Sequence, residues 1–136
     1  MESILSRSPD RPRPHPVVGE VKKHLLGQGI PDYSCAVLDP ALGTEFRRRA
    51  WAAARTVPFG ETRSYKWLAE QSGSPKAFRA AGAAMCHNRF GLIVPCHRII
   101  ASDGTLGGFG GKSRDLAFKR VLLDIEIASI QRELRL

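Results

Sequence analysis

Apolar and polar positions follow helical spacing over most of the chain and crowd into a continuous apolar run only around Cys96. Val17 to Leu26 reads as a short amphipathic helix closed by Gly27 and Gly29, and Tyr33 to Leu38 as a strand ahead of Asp39-Pro40. Thr44 is placed to cap a stronger helix. In it Phe46, Ala50, Trp51, Ala54 and Val57 fall near one face, Arg47, Arg48 and Arg49 lie largely elsewhere, and Pro58 ends the run. Phe59-Gly60-Glu61-Thr62 is then a turn. Ser64 or Thr62 caps a second helix through Tyr65, Trp67, Leu68 and Ala69, ended by Gly73.

Ser74-Pro75 reads as the start of a third helix running to about Cys86, because proline tolerates the first helical position and serine satisfies orphan amides. Joined through Gln71-Ser72-Gly73-Ser74, the second and third helices make a helix-turn-helix. The third, Lys76-Ala77-Phe78-Arg79-Ala80-Ala81-Gly82-Ala83-Ala84, is thin. It can approach a groove closely or pack tightly on a neighbour, and Arg79 within it either inserts into a duplex or forms a salt bridge. The apolar runs Gly91-Leu92-Ile93-Val94 and Ile99-Ile100 read as buried strand on either side of Pro95-Cys96-His97-Arg98. Gly104, Gly107, Gly108, Gly110 and Gly111 then surround Phe109 in a loop. Ser113 caps a final amphipathic helix whose apolar residues are Leu116, Phe118, Leu122, Leu123 and Ile125.

These elements divide the chain into a flexible lead-in over residues 1–16, a short helix and strand over 17–43, and a main domain over 44–136. The proline-rich Arg11-Pro12-Arg13-Pro14-His15-Pro16 cannot sustain a helix. At 136 residues with 43% hydrophobic content, one domain with a real core is expected. No stretch approaches the ~20 apolar residues of a membrane span, so no membrane partner is expected. Three cysteines, Cys35, Cys86 and Cys96, cannot all pair within one chain. With no apolar leader at the N-terminus, a reducing, cytoplasmic (or, in a eukaryote, nuclear) location is expected. Cys35 and Cys86 read as packed small hydrophobes.

Charge sharpens the picture. The formal net charge is +8, and residues 41–120 carry fourteen basic against five acidic groups, whereas residues 1–40 are balanced at five and five. The excess lies around Cys96, where it suits a polyanion such as nucleic acid or serves only for solubility.

The candidate chemistry centres on Pro95-Cys96-His97-Arg98, a nucleophile-capable sulfur beside a base-capable imidazole and a permanent cation. Glu126 projects from the apolar side of the last helix, four residues beyond Leu122 and three beyond Leu123. An unpaired carboxylate there is costly, so a buried partner is implied, and histidine would serve. Two decoys fall away. Gly111-Lys112-Ser113 lacks the upstream glycine of a P-loop, that position being Leu106. Cys86-His87 and Cys96-His97 lack the spacing that wraps a chain around zinc, so no metal is expected. His15 and His24 carry no recognisable context.

Pro95-Cys96-His97-Arg98, preceded by the helix-turn-helix and by Val57-Pro58-Phe59-Gly60-Glu61-Thr62-Arg63-Ser64-Tyr65, closely resembles the O6-alkylguanine-DNA alkyltransferase family over about residues 44–126. The Ser-Pro-Lys-Ala helix start, Arg79 and the Leu-Leu-x-x-Glu tail occur in the family's order. The resemblance implies a mainly α fold with a small β element, a winged-helix-like, helix-turn-helix alkyltransferase domain. Residues 44–136 would then bind DNA and accept the alkyl group, and 17–43 would be the remnant of a largely absent N-terminal domain.

It also implies a function: a DNA repair protein that flips O6-alkylguanine out of duplex DNA, bound from the minor groove, and transfers the alkyl group irreversibly to Cys96. Each molecule would act once, as a monomer and without a cofactor. By the same resemblance the catalytic set is Cys96, His97 acting through a water, Glu126 orienting His97, Asn88 tying the Cys96 segment to the helix-turn-helix, and Tyr65 donating toward the leaving guanine. As alternatives, Asn88 caps the third helix and Tyr65 is a core aromatic. Arg79 would enter the base stack, beside Lys76, Ala80, Ala81 and Gly82 on the recognition helix. Ile99, Phe109 and Gly110 would line the base pocket through backbone groups and Arg98 would brace the turn. Phe109, Gly110 and Arg89 stand where tyrosine, serine and proline are frequent. The competing reading is a lesion sensor that binds without reacting, and retention of Cys96 argues against it.

Overall fold

A computed structural model of the chain describes residues 15–39, 41, 43–88, 90–101 and 113–134. Residues 1–14 of the expected lead-in, Arg89, Phe109, Gly110 and the rest of the glycine-rich loop lie outside the described residues. Those described form five α-helices and one two-stranded sheet: α1 Val17–Leu25, α2 Glu45–Ala54, β1 Arg63–Ser64, α3 Tyr65–Gln71, α4 Phe78–Cys86, β2 Ile99–Ile100 and α5 Ser113–Glu133, with a 3-10 turn at Cys96–Arg98. The mainly helical expectation with a small β element therefore holds. No described helix is long and apolar enough to cross a membrane.

Capping explains where the central helices begin. Thr44 accepts from the Arg47 amide at 3.2 Å and Ser64 from the Trp67 amide at 3.0 Å, each satisfying a donor the first turn leaves unpaired. At its end α3 closes in a Schellman motif. The Ser74 amide bonds the Ala69 carbonyl at 3.0 Å, the Gly73 amide bonds Glu70 at 3.1 Å, and Gly73 takes φ +89°, where a side chain would be strained. The core lies between α2, α3 and α4, where Ala50, Trp51, Ala54, Leu68, Ala69, Ala81, Ala84, Met85, Val94 and Ile99 are buried together. The Trp51 indole donates to the Ala84 carbonyl at 2.9 Å, so its one polar atom is satisfied. From α5, Leu122 and Leu123 are buried, whereas Phe118 is 58% exposed.

Four expectations are corrected. Ser74-Pro75 does not start α4. The Ala77 amide bonds the Ser74 carbonyl at 2.8 Å, making a turn with Pro75 at its second position, and the helix begins at Phe78 without a side-chain cap. Proline fits both settings equally well, which is why the sequence signal misled. Lys76 therefore precedes the helix rather than riding on it. Tyr33 to Leu38 is not a strand. Asp32 accepts the Ser34 amide at 2.9 Å and Ala36 bonds back to Tyr33 at 3.0 Å, bending the segment before it can pair. Gly91 to Val94 is a tight reversal, with a bridge between its ends and Leu92 at φ 72°, so it is apolar without being extended. Finally, Cys35 and Cys86 are exposed rather than packed.

β1 pairs with β2 in parallel, Arg63 opposite Ile99 and Ser64 opposite Ile100. Although only two residues long, this ladder registers the start of α3, where Tyr65 sits, against the exit of the Cys96 turn.

Candidate active site

The backbone around Cys96 is set by Pro95. Its φ of −80° and ψ of 69° form an inverse γ-turn, closed by the Cys96 amide on the Val94 carbonyl at 2.8 Å. The same carbonyl receives the Asn88 side-chain amide at 2.9 Å, and Asn88 in turn accepts from the Phe90 amide at 2.8 Å. Asn88 lies two residues beyond α4, so it links the end of that helix to the turn carrying Cys96, while His87 is the residue that ends the helix. Cys96 is left half-buried and unpaired with any cysteine.

Behind the turn stands Glu126, with no solvent exposure. Its Oε2 lies 2.5 Å from His97 Nε2 and 2.9 Å from His24 Nε2, and it accepts Arg98 Nη2 at 2.8 Å. Its Oε1 accepts Arg98 Nε at 2.9 Å and the Gly60 amide at 3.0 Å. Burial pushes this carboxyl up, but hydrogen bonds from His24, His97 and Arg98 outweigh it and hold the group well below the usual carboxylate range. Glu126 is thus an anion inside the core, stabilised because its oxygens are surrounded by donors.

His97 is 2% exposed, and its Nδ1 is the buried side-chain polar atom without a hydrogen-bond partner among the described residues. Burial lowers its pKa, with Arg98 and His24 adding to that and Glu126 opposing it, so the ring is neutral at neutral pH. A neutral ring donating Nε2–H to Glu126 leaves Nδ1 with a lone pair, the state a general base requires. Arg98 braces the arrangement, as its guanidinium also donates to the Val57 carbonyl at 3.0 Å and stacks over Phe59.

Tyr65 opens α3 and is half-buried, its hydroxyl 3.4 Å from Lys119 Nζ, which also lies over the ring at 5.5 Å. Burial lowers the Lys119 pKa, and a thiolate at Cys96 acts in the opposite direction. Ile99 is fully buried in β2. On α4, Arg79, Ala80 and Phe78 are exposed, whereas Ala81 and Gly82 are buried against the core. The expected recognition set therefore splits, since a helix offers one face outward at a time. Lys76 is exposed in the turn before it.

Sequence reasoning missed His24, Gly60 and Lys119. Lys119 sits seven residues before Glu126, on the same helical face, and that spacing was a usable signal. Gly60 takes φ +83° and a Cβ there would come within 2.1 Å of Ile130, so only glycine presents its amide to Glu126 without strain. His24 reaches the site across 102 residues and carried no local signal.

Comparison with known proteins places the chain in a family. The family model described as 6-O-methylguanine DNA methyltransferase, DNA binding domain, matches residues 45–128. A methylated-DNA--protein-cysteine methyltransferase of Mycolicibacterium paratuberculosis is 51% identical over 84 residues, 62% of this chain and 49% of that protein. The chain spans about half the length of the curated relatives it matches. The crystal structure of Mycobacterium tuberculosis OGT in complex with DNA superposes with TM-score 0.71 at 41% identity, covering 83% of this chain and 66% of that one. S. pombe Atl1, in complex with damaged DNA containing O6-carboxymethylguanine, gives TM-score 0.53 at 30% identity, covering 60% of this chain and 75% of that one.

Proposed function

Since the chain belongs to the 6-O-methylguanine DNA methyltransferase family, we propose that it repairs O6-alkylguanine in double-stranded DNA by moving the alkyl group onto Cys96. The observation that carries this reading is the half-buried Cys96 beside a neutral His97 whose Nε2 is committed to Glu126 and whose Nδ1 is unpartnered among the described residues. His97 Nδ1 takes the Cys96 proton through a water. The thiolate sulfur then attacks the alkyl carbon, the carbon–O6 bond breaks as a carbon–sulfur bond forms, and the electron pair goes to guanine. Guanine leaves neutral by taking a proton from the Tyr65 hydroxyl, and Tyr65 regains one from solvent as His97 releases the proton it took from the thiol. The net change is one proton moved from thiol to base and one thioether formed. Nothing in that sequence restores the thiol, so each molecule acts once.

Reaching a base inside a duplex requires its extrusion. We assign this to α4, where exposed Arg79 enters the stack in place of the flipped nucleotide while Ala80 lets the helix lie close in the minor groove. Lys76 meets the phosphate backbone, and the buried Ala81 and Gly82 let α4 pack tightly on its neighbours. Ile99 contributes to the base pocket through its backbone, and the protein works as a monomer.

Incubation with stoichiometric O6-benzylguanine or methylated duplex, followed by peptide mass spectrometry, tests the reading. An adduct on Cys96, absent in Cys96→Ala, supports it. Selective binding to the lesion with Cys96 left unmodified replaces it with the sensor reading.

A further inference from the structure

We infer that His24 is a positioning residue for this reaction: from α1 it clamps the Glu126 carboxylate, and through it the ring of His97. The inference rests on the alkyl-transfer reading above. His24 is fully buried, and both of its ring nitrogens are engaged, Nε2 with Glu126 at 2.9 Å and Nδ1 with the Tyr33 hydroxyl at 2.8 Å. Burial pushes the Tyr33 hydroxyl up to about 12, so it keeps its proton. A Tyr33 hydroxyl that donates to Nδ1 leaves the His24 ring hydrogen on Nε2, directed at Glu126.

The geometry assigns His24 a task Arg98 does not perform. Arg98 grips both carboxylate oxygens as a fork, at 2.9 Å and 2.8 Å, and a fork fixes the plane of the carboxylate without choosing which imidazole it serves. His24 and His97 converge on the same oxygen, Oε2, with their rings 5.8 Å apart and tilted by 56°. His24 therefore blocks rotation of Oε2 away from His97 and walls in the His97 ring on one side, with Phe59 packed behind it at 5.5 Å. Together they keep His97 donating from Nε2 and presenting Nδ1. His24, His97 and Glu126 have ligand atoms within 4.8 Å of one another. Arg98 nevertheless already supplies the cation on that carboxylate, so the trio reads as an oriented hydrogen-bond chain rather than a metal cage.

Full-length chains carrying His24→Phe and His24→Gln test this. Phenylalanine fills the volume without a donor, and glutamine restores one. On O6-benzylguanine, H24F should form the Cys96 adduct about tenfold more slowly than wild type at equal folded fraction, the usual size of an orienting-partner loss. H24Q should recover most of that rate. Nitrogen NMR of His97 should show one neutral tautomer, protonated at Nε2, in wild type and H24Q, and a tautomer mixture in H24F. Wild-type rate and an unchanged His97 spectrum in H24F overturn the inference, as do equal slowing in both variants with the spectrum unchanged. If wild type itself forms no adduct, the transfer reading fails, and the His97 spectra alone decide the role of His24.

Discussion

The surroundings of Glu126 and the outer face of α4 are built on opposite plans. Glu126 is fully buried and receives donors from α1, the turn after α2 and the Cys96 turn. The α4 face carries Phe78 at 46% exposure with Arg79 and Ala80 open beside it, on a helix with no side-chain cap at its start. Glu126 has its donors within the chain, and on the proposed reading the α4 face takes DNA as its partner. Chemistry and recognition should therefore separate under mutation, the first failing with the fold and the second failing while the fold stands.

Glu126→Gln probes that separation most severely. It removes the anion that Arg98 and two histidines enclose and leaves a buried guanidinium unpaired, a loss of about 3–5 kcal/mol. Adduct formation on free O6-benzylguanine should fall on the order of 100-fold, the scale of a disabled general base. Urea denaturation and adduct kinetics measure the two effects, and a stable, fully reactive E126Q would mean that the carboxylate is incidental.

Arg79→Ala should do the reverse. Transfer from methylated duplex should fall roughly 10- to 100-fold, as the cost of unstacking goes uncompensated. Reaction with the free base should stay at wild-type rate, and stability should change by less than about 0.5 kcal/mol. If R79A slows both substrates equally, the two regions are not independent.

The same contrast explains what could be read from the chain before its fold was known. Glu126 stood out because a carboxylate on the apolar side of a helix violates periodicity, and Thr44 and Ser64 because capping is local chemistry. The turn at Ser74 misled because Pro75 suits a turn as well as a first helical residue, and Gly91 to Val94 because an apolar run says nothing about extension. His24 was illegible for a different reason: its meaning lies in a contact across 102 residues, and its own neighbours give it none.

Acid should expose the hub more gently. Glu126 and His97 both have lowered pKa values in the fold, from ordinary values of 4.5 and 6.5. The unfolded chain therefore takes up protons that the native state refuses, and stability rises with pH wherever that difference exists. The contribution of these two groups should be level above about 6.5, decline below it as unfolded His97 protonates, and decline further below about 4.5 as unfolded Glu126 does. E126Q should lose the Glu126 share of that lower decline and keep the smaller share of the exposed Glu20 and Asp32, whose carboxyls are also lowered by hydrogen bonds, which denaturation midpoints across the range would reveal. The acid limb of the adduct rate should likewise lie below 6.5, because the folded His97 stays neutral longer than a free histidine.

The two caps give the smallest effect and the finest discrimination. Thr44→Ala and Ser64→Ala each remove one side-chain acceptor from a helix N-terminus, at a cost of about 1 kcal/mol apiece. Thr44 starts α2, away from the reactive turn, whereas Ser64 pairs with Ile100 and precedes Tyr65. Equal losses in urea should therefore come with unequal losses in rate. T44A should react as wild type does, and S64A should be a few-fold slower, because fraying the first turn of α3 loosens Tyr65 beside the Cys96 turn. Equal rates for the two variants would show that the short β1–β2 ladder alone holds Tyr65 in place.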